Sequence, residues 1–583
     1  MGYQEVSESR DGMHIDWDTP IEMEDGIILR ADVYRPIGDG ASPVILSYGP
    51  YGKMLRFQDL YIDQWRIMCE KNPDVSAGSS NKYQNWETVD PEKWVPDGYA
   101  VVRVDSRGAG RSPGVMDLWS ARETQDFYDC IEWAAEQPWS TGKIGLNGIS
   151  YYAMNQWQTA ALQPPHLSAI CVWEGSADYY RDMVFHGGIY CPSRAAWFRS
   201  QITSVQHGKG SNGLRSGMTG DWVAGPETLC AEELGALRHD FVEESASSPL
   251  ASDPFWTERL PDFSKIEVPL LSAGNWGGQG LHPRGNFEGY SRSASKEKWL
   301  EMHGKEHWTE FYTDYGVGLQ KRFFGHFLKG ENTGWAKQPR VVLQVRHPDE
   351  KFVERAENEW PLARTRWTRF YLHPEDHVLS TEPQTADDTV TYGGLSQGVT
   401  FLASPLEQET EITGPIAAKL FVSSETEDAD LFLVVRVFSP DMKEVTFAGA
   451  IDPHTPIAQG WLRASHRKLD EKLSTPYWPY HPHDEVQKLQ PGEIHELDIE
   501  IVPTCIVVPK GYRIALSVRG RDYQWPGGST TGLGTHAASF SGVGNFKHDD
   551  PQDRPAQVFG GDVTLHSGPD RQAHILLPVI PSK

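Results

Sequence analysis

Ser150 stands in the run Gly148-Ile149-Ser150-Tyr151-Tyr152-Ala153, directly after Lys143-Ile144-Gly145-Leu146-Asn147 and directly before the helical Asn155-Gln156-Trp157. A serine on a sharp strand-to-helix turn presents its hydroxyl outward, and a small residue such as Gly148 keeps the turn free of clashes. That layout suits a nucleophile for acyl transfer. The competing reading is a serine that caps the following helix. The strict GxSxG pattern is not met: Tyr152 stands where its second glycine would be, and the small residue comes one later, at Ala153. A serine hydroxyl is a weak nucleophile until a base takes its proton. His307 lies just beyond the strand-like run Trp299-Leu300-Glu301-Met302-His303, in a loop from which a side chain can reach a strand-end turn. His303 is the competitor and reads as a packed or hydrogen-bonded strand residue. The backbone N–H of Tyr151, the residue after the nucleophile, is an expected donor to a developing oxyanion. Trp173, Trp276 and Trp308 flank these loops; lining an acyl pocket and filling the core are equally open to them.

These residues need strands to carry them. Runs at 27–36, 43–48, 98–105, 143–148, 169–173, 268–274 and 298–303 read as strands, and 123–136 has helical spacing. Strands alternating with helical patterns predict a mostly parallel sheet with helices on both faces. Between about 178 and 265 the strand pattern stops, and amphipathic pieces such as Glu232 to Glu243 suggest an inserted helical cap. Beyond about 340, short strands rich in Val, Thr, Phe and Leu recur without a convincing helix, the pattern of an all-β sandwich of jelly-roll type. The expected organisation is an α/β core at 1–177 and 266–340, a cap at 178–265 and a β-sandwich at 341–583.

The composition narrows the partners. The 583 residues exceed the roughly 250–300 over which one core grows, so several packed units are expected. A net charge of −26 argues against nucleic acid and against docking on anionic membranes. No apolar run is long enough for a membrane helix, and Met1 to Glu8 lacks the layout of a signal peptide. Six scattered cysteines without CxxC spacing exclude a zinc ribbon and a disulfide-dense scaffold, and reduced cysteines in a cytoplasmic protein are the default. His481-Pro482-His483-Asp484 has metal-ligand residue types but sits among Pro and Tyr in a loop. No metal or organic cofactor is expected. Self-association into a homo-oligomer stays open.

Several separated segments resemble the CocE/NonD family of serine hydrolases, which includes cocaine esterase and X-prolyl dipeptidyl peptidases. They are Gly148-Ile149-Ser150-Tyr151, Asp105-Ser106-Arg107-Gly108-Ala109-Gly110-Arg111-Ser112-Pro113-Gly114, Gln137-Pro138-Trp139-Ser140 with Gly142-Lys143-Ile144-Gly145, and Gln459 to Arg467. The resemblance implies an α/β-hydrolase core, a helical cap and a C-terminal jelly roll. It implies Ser150 as nucleophile, His307 as base and, from Gly49-Pro50-Tyr51-Gly52, Tyr51 as a second oxyanion donor. The sequence departs from the family at the triad acid: Gly277, in Ala273-Gly274-Asn275-Trp276-Gly277, stands where the aspartate would be. Glu174 follows the strand after the elbow strand and could reach the same histidine; Asp178 and Glu288 are alternatives. The expected activity is hydrolysis of small-molecule carboxylic esters or amides through an acyl-enzyme. An X-prolyl or amino-terminal peptidase or acylase, and a degenerate hydrolase serving as a binding module, are the other readings.

Overall fold

The computed structural model describes residues 6–527, 530–531 and 539–581. Most of the stretch on which the leader reading falls, residues 1–5, lies outside them.

Eleven strands form the N-terminal sheet. In spatial order they are Val6–Arg10, Met13–Glu22, Ile28–Pro36, Ala100–Asp105, Ser42–Gly49, Ser140–Ile149, Leu167–Trp173, Leu270–Asn275, Lys298–His303, Val341–His347 and Lys351–Glu357. From Ala100–Asp105 to Val341–His347 every pairing is parallel. Ser42–Gly49, Ala100–Asp105 and Leu270–Asn275 are buried at every position, as a sheet covered on both faces requires. The helix Ala121–Ala135 turns Phe127, Cys130, Ile131 and Ala134 inward, and the Ser120 hydroxyl caps it by accepting the Glu123 N–H. The helix Tyr151–Ala161 is buried along its whole length.

In the chain between Trp173 and Leu270, the Val205 carbonyl accepts the Gly110 N–H at 2.8 Å and the His207 N–H donates to the Gly108 carbonyl at 2.9 Å, in the loop that follows the strand Ala100–Asp105. This stretch is less regular than the amphipathic pattern suggests. The expected Glu232 to Glu243 helix is two short ones, Ala231–Ala236 and Phe241–Ala246. The Asp240 carboxylate accepts the N–H groups of Val242 and Glu243, which starts a new helix where a continuous one was expected.

The C-terminal part is largely β. Its spine is Thr410–Ser424, which pairs antiparallel with His495–Val508 on one side and with Asp562–Ser567 and His574–Ile580 on the other. The longest helix there among the described residues is Ala556–Phe559. A bridge between Arg346 and Ile506 makes the hydrogen bonding continuous with the N-terminal sheet.

Candidate active site

The strand Ser140–Ile149 runs straight into the helix Tyr151–Ala161, and Ser150 is the single residue between them, at φ 55° and ψ −115°. An L-residue there is strained and is held by its surroundings. The Ser150 N–H lies 3.2 Å from the carbonyls of both Trp173 and Glu174, at the end of the neighbouring strand. A Cβ on Gly148 would lie 2.4 Å from the Tyr152 Cβ, so the tyrosine that replaces the second motif glycine depends on the first.

Ser150 and His307 line one cavity of about 60 Å³. His307 follows the strand Lys298–His303, and its Nδ1–H donates to Glu174 Oε2 at 2.6 Å. Its Nε2–H is directed to Glu87 Oε1 at 2.9 Å. Among the described residues no hydrogen bond joins Nε2 to Ser150 Oγ. Glu174 also accepts from His303 Nε2–H at 3.1 Å and from Asn275 Nδ2–H at 3.3 Å. His303 donates its Nδ1–H to Glu301 at 2.7 Å, and the Tyr315 hydroxyl donates to the other Glu301 oxygen at 3.2 Å. A row thus runs Glu87, His307, Glu174, His303, Glu301. His303 is part of it and stacks on Trp173, inside the strand and away from the cavity.

Burial disfavours charge on both imidazoles, but the flanking carboxylates outweigh it. His307, beside Glu174 and then Glu87, is pushed up to about 10. His303, beside Glu301 and Glu174, is pushed up to about 10 as well. For Glu174 burial alone would favour the acid, yet the two histidines hold it below the usual range. Burial wins at the two ends, where Glu87 and Glu301 are raised.

Glu87 is the group that sequence reasoning missed. It lies in an irregular stretch, its φ is 60°, and its carbonyl accepts the Ile149 N–H at 3.0 Å just before the elbow. Glu174 too has positive φ, 49°. Three strained non-glycine residues therefore meet at one point.

Tyr51 faces the same cavity. Its hydroxyl accepts Trp197 Nε1–H at 3.0 Å, which leaves its own proton to donate, and burial keeps the phenol protonated. Tyr151 opens its helix, where the first N–H groups have no acceptor within the helix. Trp308 lines the cavity, together with Trp86, Trp119 and Trp197. Trp173 and Trp276 do not line it. Trp173 packs on His303 and Phe311, while Trp276 packs against the stacked pair of Phe287 and Trp360 and donates its Nε1–H to the Gln344 carbonyl at 3.0 Å. Both are core residues: Trp173 is the last residue of its strand, Trp276 directly follows Leu270–Asn275, and both side chains are fully buried.

The alternative acids are committed elsewhere. Asp178 pairs with Arg181, and Glu288 with Arg284 and Arg292. At Gly277 a Cβ would lie 2.2 Å from the Gly449 Cα, so the main chain of the C-terminal part occupies the space of the missing side chain. The Ala450 N–H donates to the Gly277 carbonyl at 3.2 Å, and the His307 N–H donates to the Ala450 carbonyl at 2.9 Å.

Ligand atoms of Glu174, His282 and His307 lie within 4.8 Å of one another. The two rings stack at 5.0 Å and 10°, however, and near-parallel rings do not aim their in-plane lone pairs at one ion. His481 directs its two nitrogens to the carbonyls of Lys468 and Asp498 at 2.9 and 2.8 Å, so that loop histidine is occupied by main chain.

A serine elbow on a parallel sheet, facing a histidine paired to a carboxylate, is the site of a serine hydrolase. Known proteins resolve the class further. The S15 family of X-Pro dipeptidyl-peptidases matches residues 25–309, and the X-Pro dipeptidyl-peptidase C-terminal non-catalytic domain matches 333–572. A CocE/NonD family hydrolase from Staphylococcus aureus is 31% identical, with a TM-score of 0.82 over 98% of this chain and 94% of its own. Cocaine esterase from Rhodococcus sp. is 24% identical, covering 96% of this chain and 97% of its own length. An Xaa-Pro dipeptidyl-peptidase from Streptococcus gordonii is 19% identical over 85% of this chain and 72% of its own. The chain belongs to the CocE/NonD family of serine hydrolases.

Proposed function

We propose that the enzyme hydrolyses carboxylic esters of small molecules through an acyl-enzyme on Ser150, with His307 as base and Glu174 as its carboxylate. The observation that carries this reading is the 2.6 Å bond from His307 Nδ1 to Glu174, made by a histidine that shares its cavity with Ser150. Glu174 fixes the tautomer and stabilises the imidazolium that forms when Nε2 takes the Ser150 proton. Ser150 Oγ then bonds to the carbonyl carbon, and the Tyr51 hydroxyl and Tyr151 N–H receive the oxyanion. The imidazolium returns its proton to the departing alkoxide. Water, deprotonated by the same nitrogen, releases the acid. Glu87 and Ser150 compete for Nε2, so the working base is the form in which Glu87 has released it.

The cavity lining favours esters over peptides with a free amino terminus. Its walls are Trp86, Trp119, Trp197, Trp308, Met154, Met183 and Phe546, and its charged members are Arg194, Glu87 and His307. Arg194 packs on Trp197 and Phe546 and makes no ion pair among the described residues. An ammonium group would meet this guanidinium, and the one carboxylate is engaged with the base. The same reading takes the C-terminal strands as a jelly roll. The six cysteines, none in a disulfide, support a reducing, cytoplasmic setting.

The test compares p-nitrophenyl acetate and butyrate with an X-prolyl p-nitroanilide. The proposal expects ester turnover that disappears in Ser150→Ala. Faster release from the anilide would overturn the ester assignment, and undiminished turnover in Ser150→Ala would overturn the nucleophile.

A further inference from the structure

A second constellation lies where the inserted segment meets the C-terminal part. His186 belongs to a two-strand ribbon of Phe185–His186 and Ile189–Tyr190, Cys191 directly follows that ribbon, and His548 comes from the far end of the chain. All three are buried, and one ligand atom from each lies within 4.8 Å of the others.

The outer hydrogen bonds of the two rings are fixed. His548 Nδ1–H donates to Asp522 Oδ1 at 2.8 Å, and the His548 main-chain N–H holds the other oxygen of that carboxylate at 2.6 Å. His186 Nε2–H donates to the Asp182 carbonyl at 3.0 Å. Two neutral rings anchored in this way would point the lone pairs of His186 Nδ1 and His548 Nε2 at each other across 2.8 Å. Such a face-off needs a cation between the nitrogens, either a proton or a metal ion. Histidines that bind metal usually give their other N–H to a carboxylate or a main-chain carbonyl, and both kinds of partner are present here. The Cys191 sulfur beside the two nitrogens completes a soft N₂S donor set that suits zinc rather than magnesium or calcium.

We propose that His186 Nδ1, His548 Nε2 and Cys191 Sγ bind one zinc-class divalent cation, with Asp522 and the Asp182 carbonyl orienting the rings. Binding displaces the thiol proton and any proton shared by the rings. Zinc–nitrogen bonds of about 2.0–2.1 Å require the two nitrogens to part by about half an ångström. The site lies outside the acyl-transfer machinery but is joined to it on both sides. Cys191 is followed by Ser193 and Arg194, and His548 is two residues from Phe546; all three line the Ser150 cavity. A bound ion would therefore clamp two walls of the substrate pocket together.

The test uses the full chain, stripped with a chelator and titrated with Co²⁺ and then Zn²⁺. Expected are one equivalent of Co²⁺ bound, a near-ultraviolet thiolate-to-cobalt band that Zn²⁺ abolishes, and a raised melting temperature. The band should vanish in Cys191→Ser. Asp522→Asn, which keeps every ligand, should weaken affinity about 10–100-fold. Failure of the wild-type chain to bind a stoichiometric ion, or a band that persists in Cys191→Ser, would overturn the proposal. These readouts do not depend on ester turnover, so they fail or succeed separately from the proposed function.

Discussion

The strands Leu167–Trp173 and Leu270–Asn275 lie side by side in one parallel sheet, and both end beside the loop of His307. Glu174 directly follows the first and grips the histidine side chain. The second ends two residues before Gly277, against which the C-terminal part lays Gly449 and Ala450. The Ala450 carbonyl then takes the His307 main-chain N–H. One strand end supplies charge, and the other supplies a docking point for a second domain. At 277 a side chain would collide with the Gly449 main chain, so glycine there is what the domain contact requires.

The comparison breaks most visibly at Glu174. Glu174→Gln should lower kcat/KM about 10³–10⁴-fold, the scale seen when a triad carboxylate is neutralised with its geometry kept. Steady-state ester kinetics on a folded variant read this directly. The reciprocal change sharpens the contrast. Gly277→Asp should not rescue Glu174→Gln, and alone it should lower the denaturant midpoint, because overpacking of this kind costs about 1–3 kcal/mol. Rescue by Gly277→Asp would show that the two strand ends are interchangeable.

A third change concerns the other face of the histidine. Burial opposes charge on His307, but Glu174 and Glu87 push it up to about 10, so the free base grows as pH rises and kcat/KM should climb well into the alkaline range. Removing one of those carboxylates in Glu87→Gln lowers that pKa. The acid limb of the pH profile should therefore move to lower pH. An unmoved limb would remove Glu87 from the account.

The smallest effect is expected at the far end of the row. His303 is raised to about 10 against burial by Glu301 and Glu174, so its stabilising charge is complete below the ordinary imidazole range of about 6.5. It is lost as pH climbs through about 10. In Glu301→Gln the folded pKa falls, and the alkaline decline of the melting temperature should begin at lower pH, with ester turnover changed only a few-fold.

Much of this was legible in the chain. The elbow is local: an apolar strand, one serine and a helix lie within about twenty residues, so periodicity and Gly148 reveal it. Glu174 was within reach because strand order alone puts its strand end beside the elbow. Glu87 was not, since it sits in an irregular stretch and meets His307 across 220 residues. The same distance effect hides His186 and His548, which are 362 residues apart. The broken cap helix did leave a signal: Asp240 followed by Glu243 is a helix-start pattern inside an otherwise periodic run. The helix Asp314–Lys329 was not read from the sequence, although Leu319, Phe323, Phe324 and Leu328 share its buried face and Gly330 ends it at positive φ. Trp308 lines the cavity as expected, but Trp173 and Trp276 misled, because adjacency to a loop does not reveal whether a ring points into the cavity or into the core.

The most direct test of the central claim is the rate at which a fluorophosphonate attaches to the chain, followed by intact-protein and peptide mass. A single adduct on Ser150, absent from Ser150→Ala and formed far more slowly in Glu174→Gln, is the predicted result. Modification of Glu174→Gln at the wild-type rate would contradict the relocated carboxylate, and a well-folded wild-type chain that takes up no label would contradict the nucleophile itself.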